Sequence, residues 1–203
     1  MFPNTNPRQM DIRSFFGNAK TGVEVVPSET TVFNPFSESK QITYTNQYKI
    51  VKGIPSQQKN YAVLIQFDGA AEPNPGPACG SAVLYKTTNG STWTATHEAG
   101  VYNQYWTNNQ AEYEGMILGL RIAQRLGIRE VLIEGDSALV VCQTTKEWKC
   151  KDVKMQQKQA EVQQLLQSFT FVGIRHVLRH LNQHADALSK EGVMKGENFA
   201  REV

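Results

Sequence analysis

A chain of 203 residues, 40% apolar and 20% charged, is long enough to bury one sizeable core. It holds no apolar run near the ~18 residues a membrane-spanning helix needs, and its N-terminus lacks the apolar stretch of a secretory signal. The net charge of +2 divides unevenly, with seven Lys/Arg against four Asp/Glu in residues 1–60 and 14 against 15 in residues 61–203, a balance that permits a nucleic-acid partner without demanding one.

In chain order, residues 1–16 hold a short apolar peptide. One helical turn puts Ile12, Phe15 and Phe16 on one side as a plug, with Gln9 free to reach a separate polar contact. Two adjacent exposed phenylalanines in a polar tail call for a partner or for a fold-back site on this chain's own core. Residues 17–60 are rich in Ser, Thr, Asn, Gln and Pro without a sustained period, and read as a flexible linker with a short extended patch around 42–51. Residues 61–203 read as a single domain. The apolar run 62–67 predicts a buried strand that stops at Asp68-Gly69, followed by the loop Pro73-Asn74-Pro75-Gly76-Pro77. Residues 81–87 and 92–102 predict two antiparallel strands, with Asn89-Gly90 as the hairpin turn.

Helical spacing over 109–126 puts Tyr113, Met116, Leu120 and Ala123 on one stripe, and Gly127 is the expected stop. A short strand over 130–133 leads through Gly135-Asp136-Ser137 into a helix ending near Gln143. A polar-faced helix over 153–168, a strand over 169–177 and a helix over 182–194 complete the pattern. The order βββαβααβα predicts an α/β fold with a mixed five-stranded sheet flanked by helices. Three cysteines, Cys79, Cys142 and Cys150, form neither a CxxC pair nor an even set, as expected of thiols in a reducing compartment.

Four carboxylates stand out against this background. Asp68 sits in Phe67-Asp68-Gly69, Glu112 in Thr107-Asn108-Asn109-Gln110-Ala111-Glu112, Asp136 in Gly135-Asp136-Ser137 and Asp186 in His184-Ala185-Asp186. Acidic groups that end apolar strands or open helices do little for packing and are suited to holding hard divalent cations over a phosphodiester. Taken singly, Asp136 reads equally as a helix cap and Asp186 as an exposed helix residue. Glu72, Glu114 and Glu134 lack such phrases and read as ordinary surface or pairing residues.

Asp68-Gly69-Ala70 with Asn74-Pro75-Gly76, then Asn108 to Tyr113, Gly135-Asp136-Ser137 and Asn182 to Asp186, in that order, resemble the type 1 ribonuclease H family in its compact branch without a basic handle. The resemblance covers about residues 61–195. It implies a ribonuclease H-like fold and endonucleolytic hydrolysis of the RNA strand of an RNA/DNA hybrid with two Mg²⁺ ions, Mn²⁺ being the expected substitute. It also implies that Asp68 bridges both ions, Glu112 and Asp136 serve the leaving-group side, and Asp186 serves the ion that delivers the nucleophile. Backbone amides at Gly69 and around Glu112, with Asn74, Asn109 and Gln110, are implied readers of the RNA 2′-hydroxyls; on their own, Asn74 reads also as a turn-former and Asn109 as a helix cap. A DNA exonuclease of related fold is disfavoured, because Asp68-Gly69-Ala70 offers no second acid on the first strand.

The sequence departs from the family pattern twice. Where many members carry Val-x-Gly-His, this chain has Val177-Leu178-Arg179-His180, which makes His180 the implied catalytic histidine while His176 and His184 lie close enough to compete for the role. In place of the basic handle, Lys146, Lys149, Lys151, Lys154 and Lys158 surround Trp148. They read either as contacts to DNA phosphates or as a solvated face with Trp148 packed on the core. Residues 9–16 resemble the Q-x-x-I-x-x-F-F peptide with which replication proteins dock on the sliding clamp (PCNA). The expected partners are therefore the hybrid and the clamp, and no membrane. A monomer is expected, in the nucleus or another site of DNA replication.

Overall fold

The computed structural model describes residues 48–54, 63–87 and 92–203. The elements in chain order are β1 (Lys49–Lys52), β2 (Val63–Ala71), β3 (Gly76–Thr87), β4 (Trp93–Trp106), α1 (Asn108–Arg125), β5 (Glu130–Gly135), α2 (Ala138–Thr144), α3 (Val153–Leu166), β6 (Phe171–His176), a 3₁₀ turn (Arg179–Leu181), α4 (Gln183–Lys195) and β7 (Phe199–Glu202). Among the described residues the sheet has seven strands in the order β1-β6-β5-β2-β3-β4-β7. The β2–β3–β4 meander is antiparallel, whereas β5 and β6 join β2 in parallel. Gln9, Ile12, Phe15 and Phe16, most of the 17–60 stretch and the Asn89-Gly90 turn lie outside the described residues.

β2 is central and covered on both faces, which explains why it reads as an unbroken apolar run. Val63, Ile65 and Phe67 point to the face where Tyr113, Met116 and Leu120 of α1 close the core, with α3 adding Val162 and Leu166. Leu64 points the other way, toward Val83, Tyr85, Trp93 and Leu132, and toward Ala185 and Leu188 of α4. Each large aliphatic or aromatic side chain taken fully out of water on these faces contributes roughly 1.5–3 kcal/mol.

The mixed α/β architecture agrees with the expected fold, with two strands more. β7 pairs antiparallel with β4, Phe199 opposite Gly100 and Glu202 opposite His97. It follows Gly196, whose φ of 67° ends α4 and turns the chain back. β1 lies inside the 17–60 stretch and pairs with the far edge of β6. Each is four residues long, too short for alternation to reveal, though β1 overlaps the extended patch expected around 42–51.

The first strand also runs past its expected stop. Asp68 pairs with Ser81, Gly69 with Gly80, Ala70 with Cys79 and Ala71 with Ala78. Asp68 therefore lies within the strand. Small residues here let α1 press on the sheet: a β-carbon on Gly69 would stand 2.1 Å from the Glu112 amide nitrogen. Contact that close is open only to glycine.

Candidate active site

Backbone geometry brings the carboxylates together. β2 and β5 run parallel with Phe67 opposite Gly135, so the residues that follow, Asp68 and Asp136, emerge side by side. Ser137, and not Asp136, caps α2 by accepting from the Val140 amide, which leaves the Asp136 carboxylate out of the helix cap. α1 is capped by Thr107, whose hydroxyl accepts from the Gln110 amide while the Gln110 side chain accepts from the Thr107 amide at 2.9 Å. This capping box starts the helix at Asn108 and, with Gly69 beneath, presents Glu112 to Asp68. One carboxylate oxygen from each of Asp68, Glu112 and Asp136 lies within 4.8 Å of the others.

Burial and mutual repulsion hold these acids in an unfavourable charge state. Burial pushes Asp68 up from 3.8 to about 7, against a lowering bond from Ser189 and with repulsion from Asp136 and Asp186 adding to the rise. Glu112 is raised well above the usual range, first by burial and then by Asp68 and Asp136. Among the described residues its Oε2 is buried with no hydrogen-bond partner. A buried carboxylate oxygen left unbonded beside two further acids is a donor set suited to a divalent cation, which would satisfy the orphaned oxygen and offset the repulsion.

Asp186 stands apart from that trio in its bonding. Its Oδ1 accepts from Arg179 and its Oδ2 from Lys190, both at 2.5 Å. Burial would raise this carboxyl, but the bonds from Lys190 and Arg179 outweigh it and hold Asp186 below the ordinary value. The same helix delivers Ser189, one turn on, to Asp68 Oδ2 at 2.5 Å. Asn182, at the helix start, donates to the Phe67 carbonyl and to Asp136 Oδ1, each at 2.8 Å. α4 thus holds three of the four acids at once.

The loop before α4 meets the acids through Arg179. His180 is exposed, and among the described residues no hydrogen bond or ion pair joins it to the four carboxylates. His176 Nε2 meets the Asp136 main-chain carbonyl at 3.1 Å, and His184 is held between Tyr85 and Glu98. Of the substrate-contact residues expected from sequence, Asn109 is exposed beside Glu112, and Asn74 accepts from the Asn108 amide at 2.9 Å. The side chain of Gln110 is engaged in the helix cap. Trp148 is 51% exposed, so it does not pack on the core. Lys146, Lys149, Lys151 and Lys154 are exposed around it, whereas Lys158 is tied to Glu114 and lies over the Trp106 ring. Arg179 stands out in the sequence only as the residue in place of the glycine of Val-x-Gly-His, and Ser189 and Lys190 carry no motif. Only the spacing of Ser189 and Lys190 along the Asp186 helix, three and four residues on, marks them as neighbours of the site.

A mixed sheet with α1 and α4 on opposite faces, and acids just past the last parallel pair of two adjacent strands, defines a carboxylate-centred hydrolase of the ribonuclease H type. A family model described as "Reverse transcriptase-like" matches residues 66–192. The Ribonuclease HI of Halobacterium salinarum is 38% identical over 163 residues, spanning 77% of this chain and 80% of that protein. The crystal structure of RNase H1 from the same archaeon superposes with a TM-score of 0.62 at 36% identity, covering 66% of this chain and 98% of that one. LC11-RNase H1, solved in complex with an RNA/DNA hybrid, superposes with a TM-score of 0.59 at 32% identity, covering 66% and 97%. The chain belongs to the ribonuclease H family of enzymes.

Proposed function

We propose that this protein is an endonuclease that cuts the RNA strand of RNA/DNA hybrids with the help of divalent cations, Mg²⁺ first and Mn²⁺ as a substitute. The observation that carries this reading is the convergence of Asp68, Glu112 and Asp136 with a buried, unbonded Glu112 oxygen. Its likeness to LC11-RNase H1, crystallised with a hybrid, supports the substrate. Bound cations supply activation of the attacking water and stabilisation of the leaving oxygen. Asp68, Glu112 and Asp136 would hold the cations, and Asp186 would join them by exchanging a bond from Arg179 or Lys190 for one to a cation. Ser189 and Asn182 fix the rotamers of Asp68 and Asp136. Arg179 adds positive charge beside a backbone phosphate. Water oxygen bonds to phosphorus, the bond to the departing 3′ oxygen breaks, and the products end in a 3′-hydroxyl and a 5′-phosphate.

Selection of RNA rests on neutral groups at the rim, namely the Gly69 amide, Asn74, Asn109 and the backbone around Gln110. The DNA strand lies toward exposed Trp148, Lys149 and their neighbouring lysines, so binding weakens steeply as salt rises. With an end-labelled RNA strand presented free, in RNA/DNA and in RNA/RNA, cutting should be confined to the hybrid. Equal cutting of RNA/RNA would remove the hybrid assignment.

Residues 9–16 serve as a docking peptide for the sliding clamp (PCNA), with Ile12, Phe15 and Phe16 as the plug and Gln9 as the polar contact. Residues 17–60 act largely as the tether behind it, which raises the local concentration of the 61–203 catalytic unit where DNA is copied. The double substitution Phe15→Ala, Phe16→Ala should weaken binding to immobilised clamp at least about 100-fold, the scale of two lost anchors, and leave hybrid cleavage in free solution unchanged. Unchanged clamp affinity would refute recruitment through this peptide.

A further inference from the structure

We infer that Tyr48, which lies far from the motifs, is a positioning residue for the catalytic turn and acts through a buried polar chain across the sheet. Glu134 on β5 is 1% exposed, and a buried carboxylate needs compensation on every side. Three groups surround it. Arg175 donates from Nε at 2.8 Å and pairs through its second nitrogen at 2.6 Å. Gln66 donates from Nε2 at 3.0 Å, and the Tyr48 hydroxyl donates to Oε1. Arg175 also stacks on the Tyr48 ring, 4.6 Å from its centroid. The hydroxyl therefore completes a cage built otherwise from the central strands.

The chain of contacts continues toward the acids. Gln66 Nε2 is shared with the Leu181 carbonyl at 3.1 Å, and Gln66 Oε1 is buried without a hydrogen-bond partner among the described residues. Among the described residues the bonds from Nε2 to Glu134 and to Leu181 are the hydrogen bonds that hold its side-chain amide. Leu181 ends the 3₁₀ turn that carries Arg179, and the next residue is Asn182, bonded to Phe67 and Asp136. Tyr48 fixes Glu134, Glu134 fixes Gln66, and Gln66 ties down the turn that leads into Asn182 and the helix bearing Asp186 and Ser189. β1 brings Tyr48 there by pairing with β6 and by the Lys52 ammonium bonding the Leu166 and Gln167 carbonyls. The segment between the N-terminal peptide and the catalytic unit is thereby part of the active-site support.

The inference rests on the cation-binding reading above for one of its two readouts and is independent of it for the other. In the full chain, Tyr48→Phe keeps the ring over Arg175 and removes only the hydroxyl. Amide exchange in the metal-free protein should speed up roughly three- to tenfold over segment 177–187, the net weight of one ordinary hydrogen bond, with α1 unchanged. Mg²⁺ titrated calorimetrically into the variant should bind more weakly by a similar factor, and kcat at saturating Mg²⁺ should stay at the parent value. Exchange over 177–187 equal to the parent's, with only Tyr48→Ala lowering stability, would make Tyr48 a packing residue and overturn the inference. Uniformly faster exchange that includes α1 would overturn it too. Absence of Mg²⁺ binding in both proteins would refute the cation reading, leaving the exchange measurement to decide the role of Tyr48.

Discussion

Asp68→Asn is expected to lower the rate of hybrid cleavage by roughly 10³-fold or more, because it removes charge from the position where β2, β5 and α1 converge. The substitution is nearly isosteric. The Asn side chain still offers an oxygen to Ser189, and Gly69 still admits α1, so the fold persists. Loss of activity with an unchanged circular dichroism spectrum and unchanged affinity for a hybrid-sized duplex would place the defect in chemistry. Cleavage within tenfold of the parent would show that Asp68 is not at the reacting centre.

The same substitution should stabilise the metal-free protein. Burial first, and the neighbouring acids after it, give Asp68 a folded value of about 7 against the ordinary 3.8. Its favourable contribution is thus fully present below about pH 4 and is lost as pH rises through about 7, because the folded state then has to hold the ionised form. Metal-free parent protein should lose stability across that window, and Asp68→Asn should be more stable than the parent by about 2–4 kcal/mol at pH 8 in chelator. Asp186 works in the opposite sense, its lowered value favouring the folded state above its unfolded value and less so as pH falls. Mg²⁺ added to the parent at pH 8 should recover stability in proportion to occupancy. A parent whose denaturant midpoint is flat from pH 4 to 8 in chelator, and equal to that of the variant, would contradict the electrostatic description of the site. A binding domain without catalysis gains nothing from such a cluster, which favours the enzyme.

Much of the site could be read from the sequence because its parts lie in local phrases with strong geometric consequences. Phe67-Asp68 and Gly135-Asp136 end matching apolar runs, and parallel pairing of those runs sets the two acids side by side. The helix bearing Glu112 shows its period over five turns, and its Gly127 stop has the left-handed φ of 71° that the position requires. The parts that escaped depend on long-range contacts. Asp68-Gly69 reads as a strand end, yet the small residues opposite let pairing run on to Ala71. β7 is an edge strand of four residues that depends on the β4 edge it covers, and β1, expected only as an extended patch around 42–51, owes its place in the sheet to the β6 edge. Glu134 reads as an ordinary pairing residue, and nothing local reveals that it is buried with Tyr48, Gln66 and Arg175 around it. Arg179 and His180 are sequence neighbours, and the choice between them is made by the direction each takes from a 3₁₀ turn.

The most direct measurement is cleavage of an end-labelled RNA strand within an RNA/DNA hybrid, followed in Mg²⁺ and in EDTA for the parent and for Asp136→Asn. Cutting by the parent in Mg²⁺ only, to products ending in 3′-hydroxyls, with the variant inactive though folded, is the predicted result. Cutting that persists in EDTA, or in Asp136→Asn at the parent's rate, would contradict a cation-dependent ribonuclease H centred on these carboxylates.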